Sequence, residues 1–155
     1  MTAARDGSLS HALANAALGW RWADLPHAVQ RQALRSLVNF FACALAGFRD
    51  PAVATAARVF DRIGPAGACT RIGAGKKASP LHAASLNAMA ANVFDFDDTH
   101  LPTIAHPTAP VAPVALALSQ TRRTSGIELL EAIWPPAVQS RLCAVSEREI
   151  GRAHV

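Results

Sequence analysis

A chain of 155 residues has room for one hydrophobic core, so a single domain is expected. Hydrophobic residues make up 51% but aromatics only 6%, and alanine is the commonest residue, which favours closely packed helices over a β-sandwich. The formal charge of +4 argues little for nucleic acid, because the basic residues (Arg31, Arg35, Arg58, Arg62, Lys76, Lys77, Arg122, Arg123) are scattered and lack aromatic interleaving; a mildly positive field suits a small polycarboxylate equally well.

Residues 1–7 are small and polar and are expected to be disordered. Ser8 caps a first helix with Leu9, Ala12, Leu13, Ala16 and Ala17 on one stripe, ending at Gly19. Trp20, Trp22 and Leu25 form a hydrophobic connector. Asp24 and Pro26 then start a second helix, which runs to about Ala46 before Gly47 stops it. Its stripe of Val29, Ala33, Leu37, Phe40, Phe41, Ala44 and Leu45 is apolar enough to be central, with Gln30, Arg31 and Arg35 facing out. Asp50-Pro51 starts a third helix, with Val53, Ala56, Ala57 and Phe60 inward, ending at Gly64-Pro65. Ala68 to Ile72 is the best candidate for a strand. The Gly73-Ala74-Gly75-Lys76-Lys77 turn after it lacks phosphate-loop spacing and reads as a hairpin or connector. Ser79-Pro80 opens a helix through Leu81, Ala84, Ser85, Ala88, Met89 and Asn92. Beyond it Pro102, Pro107, Pro110 and Pro113 predict an extended path until Val114 to Ser119 resume a helical pattern. Ser125 to Glu128 is a capping box, followed by Leu129, Leu130 and Ile133 at helical spacing until Trp134-Pro135-Pro136 breaks the pattern. The last residues, 147–155, carry no apolar periodicity and read like one translated frame of a sequencing adapter, so the native sequence is expected to end near Ser146.

Three cysteines, Cys43, Cys69 and Cys143, lie far apart without CxxC spacing, as in a reducing cytoplasm. The N-terminus shows no signal-peptide pattern, and the longest apolar run, Phe40 to Phe48, is too short to span a bilayer. A soluble cytoplasmic protein is expected.

The chemistry is concentrated between Asn87 and Pro110. Three of the eleven carboxylates (Asp95, Asp97, Asp98) and two of the six histidines (His100, His106) fall there within twelve residues. Phe94 and Phe96 are expected to be buried and to draw Asp95 into an apolar wall, raising its pKa toward neutrality. His106, between Ile104-Ala105 and Pro107, would then converge on the same cleft, as proton abstraction beside a carbonyl or β-elimination of water requires. Asp95 and Asp98 share a face if the preceding helix persists, and Asp97 does not; Asp97 and Asp98 read equally as a helix end or a cap for the next turn. Asp97, Asp98, His100 and His106 are metal-ligand types, but no pair has HxxxH spacing, so no metal site is expected. Val93 to Thr99 also fits the hydrophobic-DxDxT signature of haloacid-dehalogenase-type Mg²⁺-dependent phosphatases, a motif that must leave a β-strand. A non-catalytic helical interaction module is the remaining alternative.

Several blocks together resemble the MmgE/PrpD family of 2-methylcitrate dehydratase and cis-aconitate decarboxylase. They are Ser79-Pro80, Leu86-Asn87, Asp95 to His100, His106-Pro107, Ser125-Gly126 and Glu128 to Ala132, covering roughly residues 8 to 133. The resemblance implies a mainly α fold for 8–146, the N-terminal part of that family's all-helical domain, with one short strand or hairpin near 68–77. It implies a lyase that works without a cofactor on a tricarboxylate, by dehydration or decarboxylation, usually as a homodimer with a second, α/β domain. By position, His106 and Asp95 would be the catalytic groups, and Asp97, Asp98, Thr99 and His100 would shape the substrate pocket. Asn92 stands where family members often carry His. The second domain would lie beyond Val155, leaving this chain an inactive fragment with exposed helix faces.

Overall fold

Small side chains let the helices of this protein cross closely, and its architecture follows from that. The computed structural model describes residues 11, 12, 15, 18–100, 104–122 and 124–133. The predicted first helix lies largely outside them, and Trp134 onward, including the tail from Glu147, lies wholly outside. In chain order come a single 3-10 turn (Trp22–Asp24), α1 (His27–Gly47), α2 (Pro51–Ile63), β1 (Cys69–Arg71), β2 (Lys76–Ala78), α3 (Pro80–Asn92), α4 (Thr108–Arg122) and α5 (Gly126–Ile133). The fold is mainly α with one hairpin, as expected.

Helix α3 is the centre, packed between α1 and α4. It buries Ala83, Ala84, Leu86, Asn87, Ala90 and Ala91, which places apolar residues around most of its circumference, as a helix enclosed on several sides must have. The core joins Phe40 and Ala44 of α1 to Ala90 and Ala91 of α3, Ala112 of α4 and Ile133 of α5. Gly47 closes α1 for a packing reason: a Cβ there would stand 2.1 Å from the Ala90 carbonyl oxygen. Of the predicted α1 stripe, Ala33, Phe40 and Ala44 are buried, whereas Leu45 faces outward.

The caps follow the sequence at two helices. The Asp50 carboxylate accepts from Ala52 N at 2.8 Å, and Ser79 Oγ accepts from His82 N at 3.4 Å. Asp24 is a correction: it belongs to the 3-10 turn, and Pro26 precedes α1 with no side-chain cap. At α5 the capping box closes as predicted, with Ser125 N donating to Glu128 Oε2 (2.6 Å) and Glu128 N to Ser125 Oγ (3.2 Å). The Ser125 backbone N–H, aided by its hydroxyl, holds the Glu128 carboxyl below its usual range.

The hairpin pairs Cys69 with Ala78, Thr70 with Lys77 and Arg71 with Lys76, antiparallel. Its turn needs positive φ at Gly73 (74°) and Gly75 (62°), which glycine adopts without strain. Asn87 of α3 fastens it: Oδ1 accepts from Ile72 N and Nδ2 donates to the Thr70 carbonyl, both at 2.9 Å. Those two bonds satisfy an amide that is only 3% exposed.

The stretch before Val114 departs from expectation. Instead of an extended path, α4 begins at Thr108 and runs through Pro110 and Pro113. Pro110 falls in the first turn, where an N–H has no intrahelical acceptor to lose. Pro113 does forfeit a bond, a cost of about 3 kcal/mol in a helix interior, but its ring is fully buried. Pro107, just ahead of the helix, has no capping side chain, and Asp98 supplies the cap from ten residues upstream. Thr108 N donates to Asp98 Oδ1 (3.2 Å) and Thr108 Oγ1 to Asp98 Oδ2 (2.5 Å). Among the described residues, no single helix is long and apolar enough to cross a membrane.

A candidate acid–base site

Helix α3 ends at Asn92, and the chain then folds back on the helix end. Asp95 N donates to the Asn92 carbonyl at 2.9 Å, and Asp95 itself takes a left-handed conformation with φ 58°. Such a conformation is tolerated by Asp far better than by a β-branched residue. Five residues on, His100 N donates to the Ala105 carbonyl (2.8 Å), an isolated antiparallel bridge. Ile104, with φ 53°, turns the chain into that bridge. The bridge returns the backbone to its starting point, so His106 arrives beside the acids rather than pointing away.

The imidazole of His106 stands between two carboxylates. Its Nδ1 is 3.2 Å from Asp97 Oδ1, and its Nε2 is 3.3 Å from Asp95 Oδ1. Thr99 Oγ1 lies 3.4 Å from the same Nδ1 and donates to the Asp97 carbonyl at 3.2 Å. The two acids differ sharply in environment: the Asp97 side chain is 1% exposed and the Asp95 side chain 81%. Asn92 Nδ2 donates to both Asp97 oxygens, at 3.2 and 3.3 Å. A buried carboxylate costs several kcal/mol unless it is paired and hydrogen-bonded, and Asn92 with His106 supplies both conditions.

Several expectations are thereby corrected. Asp95 is not enclosed by an apolar wall, because Phe94 and Phe96 are 45% and 77% exposed. The buried acid is Asp97. The helix does not persist past Asn92, so Asp95 and Asp98 do not share a face; Asp95 instead meets Asp97 across the His106 ring. Asp98 turns to the α4 N-terminus, one of the two roles open to it from the sequence. His100 contributes its backbone to the bridge. Asp95, Asp97 and His106 together bring three potential ligand atoms within 4.8 Å of one another, a set that the absence of HxxxH spacing does not reveal.

Two residues of α1 reach this region without any motif to announce them. Asn39 Nδ2 donates to the Phe96 carbonyl at 3.1 Å. One turn on, burial pushes the Cys43 thiol pKa up, the Asp97 and Asp98 charges push it further, and the Asn39 side chain opposes them. The thiol is therefore kept protonated beside the acids. The signal for Asn39 was a lone amide inside the apolar run Leu37-Val38-Asn39-Phe40-Phe41.

The DxDxT alternative loses its context. That segment follows a helix, and the strands among the described residues form one two-stranded antiparallel hairpin, upstream of α3. A phosphatase of that type needs a strand to carry the first aspartate.

Residues 11–147 match the MmgE/PrpD N-terminal domain. A cis-aconitate decarboxylase-like protein of Aspergillus oryzae is 27% identical over 135 residues, 83% of this chain and 28% of that protein. The cis-aconitate decarboxylase of Aspergillus terreus is 31% identical over 114 residues, 70% of this chain and 23% of that enzyme. The chain thus spans about a quarter of the length of the curated relatives it matches. With a family match over most of its length, the chain belongs to the MmgE/PrpD family.

Proposed function

We propose that this chain carries the N-terminal part of the acid–base site of a lyase acting on a tricarboxylate, by dehydration or by decarboxylation of a cis-aconitate-like acid. The observation that carries the reading is the His106 ring held between a buried and an exposed carboxylate. Asp97, fixed by Asn92, accepts a proton-bearing Nδ1 and so orients the ring. That leaves Nε2 to take or give a proton on the open side, where Asp95 stands. A carboxylate that fixes the tautomer and an imidazole that moves the proton is a recurrent division of labour in enzymes. Asp95, in water, passes the proton onward. Proton transfer of this kind needs no cofactor.

Among the described residues, His106 is the one basic side chain within ion-pair distance of Asp95 and Asp97. An anionic substrate therefore needs basic groups from the rest of a longer protein, and this chain alone is expected to be inactive. The test is to read the locus past codon 155 and to assay the complete open frame with cis-aconitate and 2-methylcitrate. His106→Ala should lower kcat by about 10²–10⁴-fold, the usual contribution of a general acid–base group. Turnover within a few fold of the parent removes His106 from the chemistry.

A further inference from the structure

Asp95 has little of its own to keep it against His106. Its side chain is 81% exposed, and its left-handed backbone (φ 58°) is a conformation an L-residue leaves readily. The neighbouring Phe96 side chain is 77% exposed and gives no anchoring burial. The turn is instead held by hydrogen bonds on its two sides. On one side Asp95 N donates to Asn92 O, a local bond at the end of α3. On the other, Asn39 of α1 reaches the Phe96 carbonyl across 57 residues of sequence, at 3.1 Å. The second bond is the tertiary one, and it fixes the Phe96–Asp97 peptide, one residue beyond Asp95.

Asn39 is also a poor choice for stability alone. Its carbonyl oxygen is buried without a partner among the described residues, a condition that an apolar side chain at this position would not impose. We propose that Asn39 is a positioning residue of the site, holding Asp95 over His106 Nε2 through the Phe96 carbonyl. The proposal deepens the acid–base reading, which supplies its functional meaning, but it is tested on the imidazole itself and not on turnover.

The experiment is carbethoxylation of the 155-residue chain with diethyl pyrocarbonate, followed residue by residue by mass spectrometry. In the parent chain the Asp95 carboxylate stands 3.3 Å from Nε2 and hinders the reagent. Asn39→Leu, which keeps the volume and removes the donor, should raise the His106 rate about fivefold, the population shift that one ordinary hydrogen bond controls. Asp95→Ala should raise it at least as much, and the double variant should add nothing further. His82, stacked on Phe60 with ring centroids 4.4 Å apart, is the internal reference and should not change. If Asn39→Leu does not fold, Asn39→Ala removes the donor without adding a charge and takes its place. An unchanged His106 rate, additive effects of the two substitutions, or a parallel rise at His82 overturns the proposal. Loss of the catalytic reading would show separately, as normal turnover in His106→Ala with the Asn39–Asp95 coupling intact.

Discussion

Replacing His106 by alanine should destabilise the chain itself, apart from any effect on catalysis. Asp97 has a 1% exposed side chain and two classes of partner, the Asn92 amide and the His106 ring. Breaking a fully buried ion pair by removing one member costs about 3–5 kcal/mol. Here the figure must come down, because the His106 side chain is 25% exposed and Asn92 remains on both oxygens. An expected loss of about 2 kcal/mol results, toward the middle of the range for hydrogen bonds to charged groups. With a urea slope of about 2 kcal/mol/M for a small domain, the unfolding midpoint should fall by about 1 M. Far-UV circular dichroism in a urea titration of the parent, His106→Ala, Asp97→Asn and the double variant measures it. Because a neutral amide at 97 depends less on a donor at His106 Nδ1 than a buried carboxylate does, His106→Ala should cost less than half as much in the Asp97→Asn background. Equal costs in both backgrounds would falsify the claim that His106 compensates the buried charge.

The crossing of α1 and α3 makes Gly47→Ala destabilising although alanine is the better helix former. The new Cβ would meet the Ala90 carbonyl oxygen at 2.1 Å and Val93 Cγ1 at 2.7 Å, and overpacking of this kind costs about 1–3 kcal/mol; a raised urea midpoint contradicts it. The Cys43 thiol should alkylate with a pH midpoint above the ordinary thiol value of about 8.5, because burial and then the Asp97 and Asp98 charges disfavour its thiolate. Its folded pKa is raised, so its contribution to stability is complete below the unfolded thiol range and is lost as pH rises through the folded value. Asp97→Asn should move the midpoint down, and iodoacetamide labelling read at Cys43 by mass spectrometry that tracks a free thiol in both proteins refutes the assignment.

Much of the frame was legible because its signals are local. Asp50, Ser79 and Ser125 with Glu128 are cap residues that act within a few positions of themselves, and their helices start where the sequence places them. The stripe of Ala33, Phe40 and Ala44 follows the helical period and lies in the core. The start of α4 was not legible. Its cap comes from Asp98, ten residues away across the bridge between His100 and Ala105, and a scan that looks for caps next to helices cannot see it.

The sequence by itself determined the helical class, the hairpin, the family and the segment in which the acids and histidines meet. Each of these is written in composition, period or contiguous motif. Only the tertiary structure decided which acid is buried. The phenylalanines beside Asp95 argue for burial there, yet a helix that stops at Asn92 and a left-handed turn at Asp95 rotate that residue to solvent and Asp97 inward. Only it decided, too, that Asn39 and Cys43 of α1 lie beside the acidic segment. Burial and pairing depend on what lies across the fold, and a single chain of letters records neighbours only along itself.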